Sequence, residues 1–256
     1  RQRPESPADH RSLARAAKSV VLDLVGDVNN TSSRTTVLSI MVAVVLLGAS
    51  GALQGTVISL RGGVEGFSSP MIGLIMSSSF VGFILGSFLV VRFVGSVGYV
   101  RTFAAFASIA SATVLAHLLV ITPVAWLIFR VFHGVSISAM LVVVESWLNA
   151  GTSSYNRGRV LSVYSLVYLA AMGAGQPLIS IFPPNSFEIF AVTSILMSLC
   201  LVPITLAQVT GVAEVSRGPV RIWKTFRRAP LASFGVLVSG MSAEALWGVA
   251  PRYGQQ

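Results

Sequence analysis

Ionisable side chains set inside apolar runs are the residues of this sequence whose types suit chemistry. Arg130 lies in Trp126-Leu-Ile-Phe-Arg130-Val-Phe-His133-Gly134, Glu145 in Val142-Val-Val-Glu145-Ser146-Trp147, and Glu244 in Ser242-Ala-Glu244-Ala-Leu-Trp247. Charge is costly in hydrocarbon, so such groups mark ion pathways, proton relays or packed helix interfaces. Arg130 is too deep for a simple anchor and is expected to line a central cavity or a helix interface. Glu145 follows it by fifteen residues, about 22 Å along a helix. The two therefore cannot pair, and Glu145 is expected to form an interfacial ion pair with Arg157 or Arg159. Its alternative role is to carry a proton. Glu244 is expected to face a cavity or a helix interface. His117 and His133 suit neutral core histidines, with a proton relay as the alternative. Gln54, His133, Tyr164, Tyr168 and Gln176 are the polar candidates for a solute cavity.

Enzymatic readings have little support. The sequence contains no phosphate-binding loop, no HExxH, no GxSxG and no triad spacing. Its one cysteine, Cys200, lies in an apolar run, and no Cys/His cluster suggests a metal site. No cofactor is expected.

The elements that must position these residues follow from composition. Of the 256 residues, 54% are hydrophobic and 11% charged, against about 25% charged in a soluble domain. Apolar runs occupy residues 37–60, 71–91, 102–122, 124–147, 160–182, 188–208 and 231–250. Each has the length a bilayer-spanning helix requires, and none reads as alternating barrel strands. The fold class expected is all-α: a polytopic six-helix bundle plus a seventh transmembrane helix.

The net charge of +9 does not point to nucleic acid, because no basic stripe interleaves with aromatics. Its distribution gives a topology instead. Fifteen Lys and Arg fall in the tail and in the loops after spans 2, 4 and 6, whereas only Arg61 and Arg252 fall on the other side. The positive-inside rule places the N-terminus in the cytoplasm. The expected organisation is a cytoplasmic tail over 1–36, a bundle over 37–208, a basic loop over 209–230 and a first helix of a second bundle over 231–256. Residues 13–25 of the tail have enough amphipathicity to lie on the membrane surface. Six spans before the loop and one after suggest a longer protein whose second six-helix half is missing here.

Small residues punctuate the spans. Gly82-x-x-x-Gly86 allows close helix approach, and Gly134 follows His133 on span 4. Gly173-Ala-Gly175-Gln176-Pro177 should bend span 5 near mid-membrane.

Arg130-Val-Phe-His133-Gly134 resembles the RxxxG motif of the major facilitator superfamily, with His133 where Gln is common. Val142 to Asn149, then Asn156-Arg157-Gly158-Arg159, with Leu53-Gln54-Gly55-Thr56 and Gly175-Gln176-Pro177, looks like the YcaD-like branch of its bacterial members. The resemblance covers 37–256, the first seven of twelve helices. It implies two six-helix bundles and alternating access of a small solute, in a bacterial cytoplasmic membrane. It further implies proton coupling through Arg130 and a cytoplasmic charge relay that includes Glu145. The loop after span 2 departs from the superfamily's Gly-x-x-x-Asp-Arg-x-Gly: Val91, Gly95 and Ser96 replace three positions. Gly98 and Arg101 remain, with Arg101 the gating candidate. Gly173 to Pro177 partly resembles the span-5 motif of antiporters, which favours export. The rivals are a non-transporting sensor or assembly partner on the same fold, and a seven-helix receptor with an external N-terminus.

Overall fold

The computed structural model describes residues 31–150, 152, 155–182, 186–206 and six positions between 227 and 238. Glu244, most of the 209–230 loop, most of the seventh span and the tail before Thr31 lie outside the described residues.

Among the described residues the chain is all-helical. Helix α1 spans Thr31–Val64, α2 Ser69–Val97, α3 Tyr99–Leu119, α4 Pro123–Ala150 and α5 Arg157–Gly175. A 3-10 turn, Gln176–Ser180, follows α5, and then come α6 (Glu188–Leu199) and α7 (Leu201–Leu206). Helix α1 begins at Thr31, inside the stretch expected as tail, and its membrane-crossing part starts at Thr35. Among the described residues, five spans are long and apolar enough to cross a membrane: α1 from Thr35, α2, α3, α4, and α6 with α7. Helix α5 opens on Arg157 and Arg159 and stops at Gly175, which makes it shorter and less apolar than most of these.

Local chemistry explains where the helices end. After α1, Gly66 takes φ +76°, its N–H donates to Gly63 O, and Phe67 N–H donates to Gly62 O at 2.9 Å. This is a Schellman closure, which needs a residue tolerant of positive φ. The expected loop between spans 2 and 3 contracts to Gly98, at φ +84°. Its N–H caps α2 at Val94 O, and its carbonyl accepts from the N–H and hydroxyl of Thr102 in α3. Helix α4 starts at Thr122-Pro123, where the Thr122 hydroxyl accepts from Ala125 N–H at 3.4 Å.

Two spans expected as single helices are interrupted. The helix of span 5 ends at Gly175 and tightens into the 3-10 turn at Gln176-Pro177, so the anticipated bend is a change of helix type. The helix of span 6 breaks at Cys200. Pro203 has no N–H to offer Leu199 O and its ring crowds that carbonyl.

In hydrocarbon, no water is expelled when helices meet, so association depends on close packing. Helix α2 packs most extensively on α4, α1 on α5, and α3 on α4 and α6. Exchanging the first three spans with the next three maps α1–α5 onto α4–α2 and α3–α4 onto α6–α1. Three helices per unit reverse direction at each repeat, so the bundle has the contact pattern of an inverted repeat. Both equivalent crossings use glycine. A Cβ on Gly82 or Gly86 would strike the carbonyl of Val131 or Val135, and one on Gly134 the carbonyl of Ser79. Gly175 sits 2.8 Å, by the same measure, from Ala49 O, and Gly48 equally close to Tyr168 O. Gly173, expected as part of the span-5 bend, has open space where a Cβ would be.

Two apolar clusters occupy opposite ends of the bundle. One is built around Leu47, Val90, Phe103, Met140, Val144 and Trp147. The other is built around Leu53, Ile58, Ile75, Trp126, Ile189 and Phe190. The outer face is apolar too: Ile84, Phe88, Phe132, Leu166 and Leu169 are among the exposed side chains. Such an inside-out surface suits lipid rather than water.

Candidate functional site

A cavity of about 350 Å³ opens at the level between the two clusters. Gln54 and Thr56 of α1, Ser79 and Phe80 of α2, Arg130 and His133 of α4, and Tyr168 and Met172 of α5 lie on its wall. The long α1, α2 and α4 bring these polar groups to one depth, and the glycine crossings hold the backbones close enough for them to meet.

Arg130 is the centre of the arrangement, buried to 6% exposure. Its Nη1 donates to Gln54 Oε1 at 2.9 Å and its Nη2 to Ser79 Oγ at 3.0 Å. One guanidinium on α4 thus ties α1 and α2 together. Its planar fork makes this possible, since a single ammonium lacks two diverging donor edges. Arg130 thus lies on the cavity wall where three helices meet.

His133, one turn further along α4, is buried and lies on the same wall. Its Nδ1 stands 3.4 Å from Thr113 Oγ1, while that hydroxyl donates to Ala110 O at 2.7 Å. The threonine proton being committed, Nδ1 is the protonated nitrogen toward α3 and Nε2 is the ring's basic site. His117 stays out of the cavity. Its Nδ1 lies 2.6 Å from Thr113 O, and its ring packs edge-on against Trp126 and Phe129.

The remaining candidates separate. Tyr168 lines the cavity, but Tyr164 and Gln176 do not. Tyr164 is buried and lies beside Glu145, which is exposed on α4. Among the described residues no ion pair joins Glu145 to Arg157 or Arg159, the pairing expected from sequence, and Tyr164 is its polar neighbour instead. Arg157 instead reaches Asn149 O at 3.5 Å. Gln176 accepts from Thr56 Oγ1 at 3.2 Å, which ties the 3-10 turn to α1 just outside the cavity. Arg101 is exposed in the first turn of α3, next to the Gly98 joint. On the opposite side, Arg61 pairs with Glu65 at 2.6 Å.

Ser79 and Thr56 were not singled out from sequence. The signal for Ser79 was available: it ends the run Ser77-Ser78-Ser79 in an apolar span, one turn before Gly82. Among the described residues no group of His, Cys, Asp and Glu is arranged to hold a metal.

Comparison with known proteins agrees with this architecture. An MFS-type transporter of Enterobacter sp. strain 638 is 26% identical over 219 residues, covering 85% of this chain and 57% of the relative. The MFS-type transporter YcaD of Escherichia fergusonii is likewise 26% identical over 219 residues, with the same coverage. The chain thus spans 57% of the length of these relatives. Among solved structures, the nucleoside transporter NupG aligns with a TM-score of 0.62 at 14% identity, over 86% of this chain and 57% of its own. The proton:xylose symporter XylE aligns with a TM-score of 0.54 at 14% identity, over 70% of this chain and 44% of its own. At these identities the structures establish the fold alone. The sequence model of the Major Facilitator Superfamily matches residues 32–256, and the chain belongs to that family of membrane transporters, not of enzymes.

Proposed function

We propose that this chain forms the N-terminal half of a proton-driven secondary transporter that moves a small solute by alternating access. The observation that carries this reading is the buried Arg130, which bridges Gln54 and Ser79 on the wall of a cavity at mid-bundle. A guanidinium stays charged at any physiological pH, so Arg130 is a fixed point of the mechanism and not itself a proton carrier. Protonation falls to carboxylates that can titrate, and Glu145 and Glu244 are the candidates in this reading. Arg101 is the gating candidate beside the joint between α2 and α3.

A second six-helix bundle completes the machine in this reading, with 209–230 as the cytoplasmic connection and 231–256 as its first helix. Alternating access needs two bundles that rock around a shared site. The basic tail and loops support a cytoplasmic N-terminus, and this reading sets the protein in a bacterial cytoplasmic membrane. Export is the direction favoured by the Gly173–Pro177 stretch.

Full-length protein reconstituted in vesicles tests the proposal. Solute flux should follow an imposed pH gradient and stop when a protonophore collapses it. Flux that persists without the gradient would remove the proton. Comparing right-side-out with inverted vesicles determines the direction.

A further inference from the structure

The polar side chains of the cavity wall are engaged with the protein. Gln54, His133 and Arg130 are only 2%, 3% and 6% exposed. Arg130 donates Nη1 to Gln54 Oε1 and Nη2 to Ser79 Oγ. Ser79 donates in turn to Met76 O at 2.7 Å, and Thr56 donates to Gln176 Oε1. His133 meets Thr113 through Nδ1. The network closes within the bundle and presents little polar surface to the space beside it.

What borders that space with open surface is apolar. Phe83 is exposed, and Met76, Phe80, Tyr168 and Met172 are half-buried on the same wall. Met76, Phe80 and Phe83 follow one another on α2 at spacings of four and three, and Tyr168 and Met172 on α5 at four, so each set shares a helix face. The Tyr168 ring stacks with that of Tyr164, 6.5 Å between centres at 25°, which steadies its plane. Aromatic rings and thioethers both favour contact with a flat π system. An ion at this wall would lose hydration without meeting an exposed charge among the described residues.

We propose that the cavity takes an uncharged, largely apolar aromatic solute, held by the Met76, Phe80, Tyr168 and Met172 side chains. The cluster around Arg130 then ties α1, α2 and α4 together and does not itself select the solute. This names the substrate class of the site already described and rests on the transport reading.

Binding, and not flux, tests the assignment, with the full-length protein in lipid nanodiscs and empty nanodiscs as the blank for partition into lipid. The probes are naphthalene, its saturated counterpart decalin, the anion 1-naphthoate, the cation 1-naphthylmethylammonium, and glucose. Naphthalene should bind saturably above the blank, about three- to tenfold more tightly than decalin. Both ions and glucose should bind at least about tenfold more weakly than naphthalene. Tyr168→Leu and Met172→Leu keep an apolar side chain but remove the ring or the sulfur. Each should narrow the preference for naphthalene over decalin, which a general loss of packing would not do. Leu169→Ala, on the exposed face of α5 away from the cavity, should leave that preference unchanged. Thermal unfolding without probe confirms that each variant is folded. Naphthalene uptake no greater than the blank overturns the proposal, as does binding of either ion or of glucose as tight as that of naphthalene. So does an unchanged preference in both Tyr168→Leu and Met172→Leu. A protein that shows the preference but moves no solute refutes transport and leaves this assignment standing. Proton-driven flux in a protein that does not bind naphthalene does the reverse.

Discussion

Arg130 on α4 donates to Gln54 on α1 at 2.9 Å, across a separation of 76 residues in the chain. The same guanidinium reaches Ser79 on α2, so three helices meet at one side chain. Replacing it should disturb both structure and function. Arg130→Ala leaves the Gln54 carbonyl oxygen buried without a donor and should cost about 1–3 kcal/mol of stability. Arg130→Lys keeps the charge but not the fork. Proton-driven flux by the full-length protein should fall at least about tenfold in the lysine variant. Undiminished flux in Arg130→Ala would remove the mechanistic role.

The α2–α4 crossing depends on absent side chains. A Cβ on Gly134 would collide with the backbone of Ser79, and one on Gly82 with that of Val131. Gly134→Ala and Gly82→Ala should each destabilise the protein by about 1–3 kcal/mol, seen as a lower unfolding temperature in detergent. Gly173→Ala is the control: nothing lies within 4 Å of the added carbon. It should be neutral or stabilise α5 by up to about 1 kcal/mol. Equal effects at Gly134 and Gly173 would contradict the packing described.

Tyr164 supports Glu145 from the neighbouring helix. Tyr164→Phe removes the hydroxyl beside Glu145 and should lower stability by about 1 kcal/mol. Glu145→Gln retains an acceptor oxygen and should be milder. Tyr164→Phe added to Glu145→Ala should cost little more than Glu145→Ala alone, which a double-mutant cycle measures. Full additivity would show that the two side chains act independently.

Membrane sidedness is accessible through cysteine chemistry. Cys200 is fully buried, so the parent should resist an impermeant maleimide. Ser68 precedes α2 without capping it through its side chain, and Ser96 is exposed near the Gly98 joint. Ser68→Cys should label from outside intact cells, and Ser96→Cys only after permeabilisation. The reverse pattern would invert the topology drawn from Lys and Arg.

Much of the fold was legible because lipid imposes a simple rule: a span must be long, apolar and self-sufficient in backbone hydrogen bonds. Runs such as 71–91 and 124–147 satisfy it, and α2 and α4 occupy them with a few residues added at each end. The breaks were partly legible. Gly175-Gln176-Pro177 announced a discontinuity, but whether the helix bends or tightens depends on Gly175 lying against Ala49 of α1. Pro203 in span 6 passed unremarked, and it splits α6 from α7 at Cys200.

The candidate site divides in the same way. Arg130 stood out by itself, since a charge in an apolar run needs a reason. Its partners did not, because glutamine and serine are common in spans and only proximity distinguishes Gln54 and Ser79. Local order pairs Glu145 with the arginines that follow it, yet its polar neighbour in space is a tyrosine one helix away. The local order of residues ranks neighbours along a chain, while a side chain chooses among neighbours in space.

By itself the sequence determined that this is an all-helical membrane protein, where its spans lie, and that Arg130 sits deep within one. These are one-dimensional properties: length, apolarity and the cost of a charge in hydrocarbon. Only the tertiary structure decided that α1 meets α5 and α2 meets α4, through glycines that let backbones touch. It alone placed Gln54 with its carbonyl oxygen on Arg130 and its amide nitrogen without an acceptor among the described residues. Pairing and orientation depend on distances between helices far apart in the chain, which no local pattern encodes.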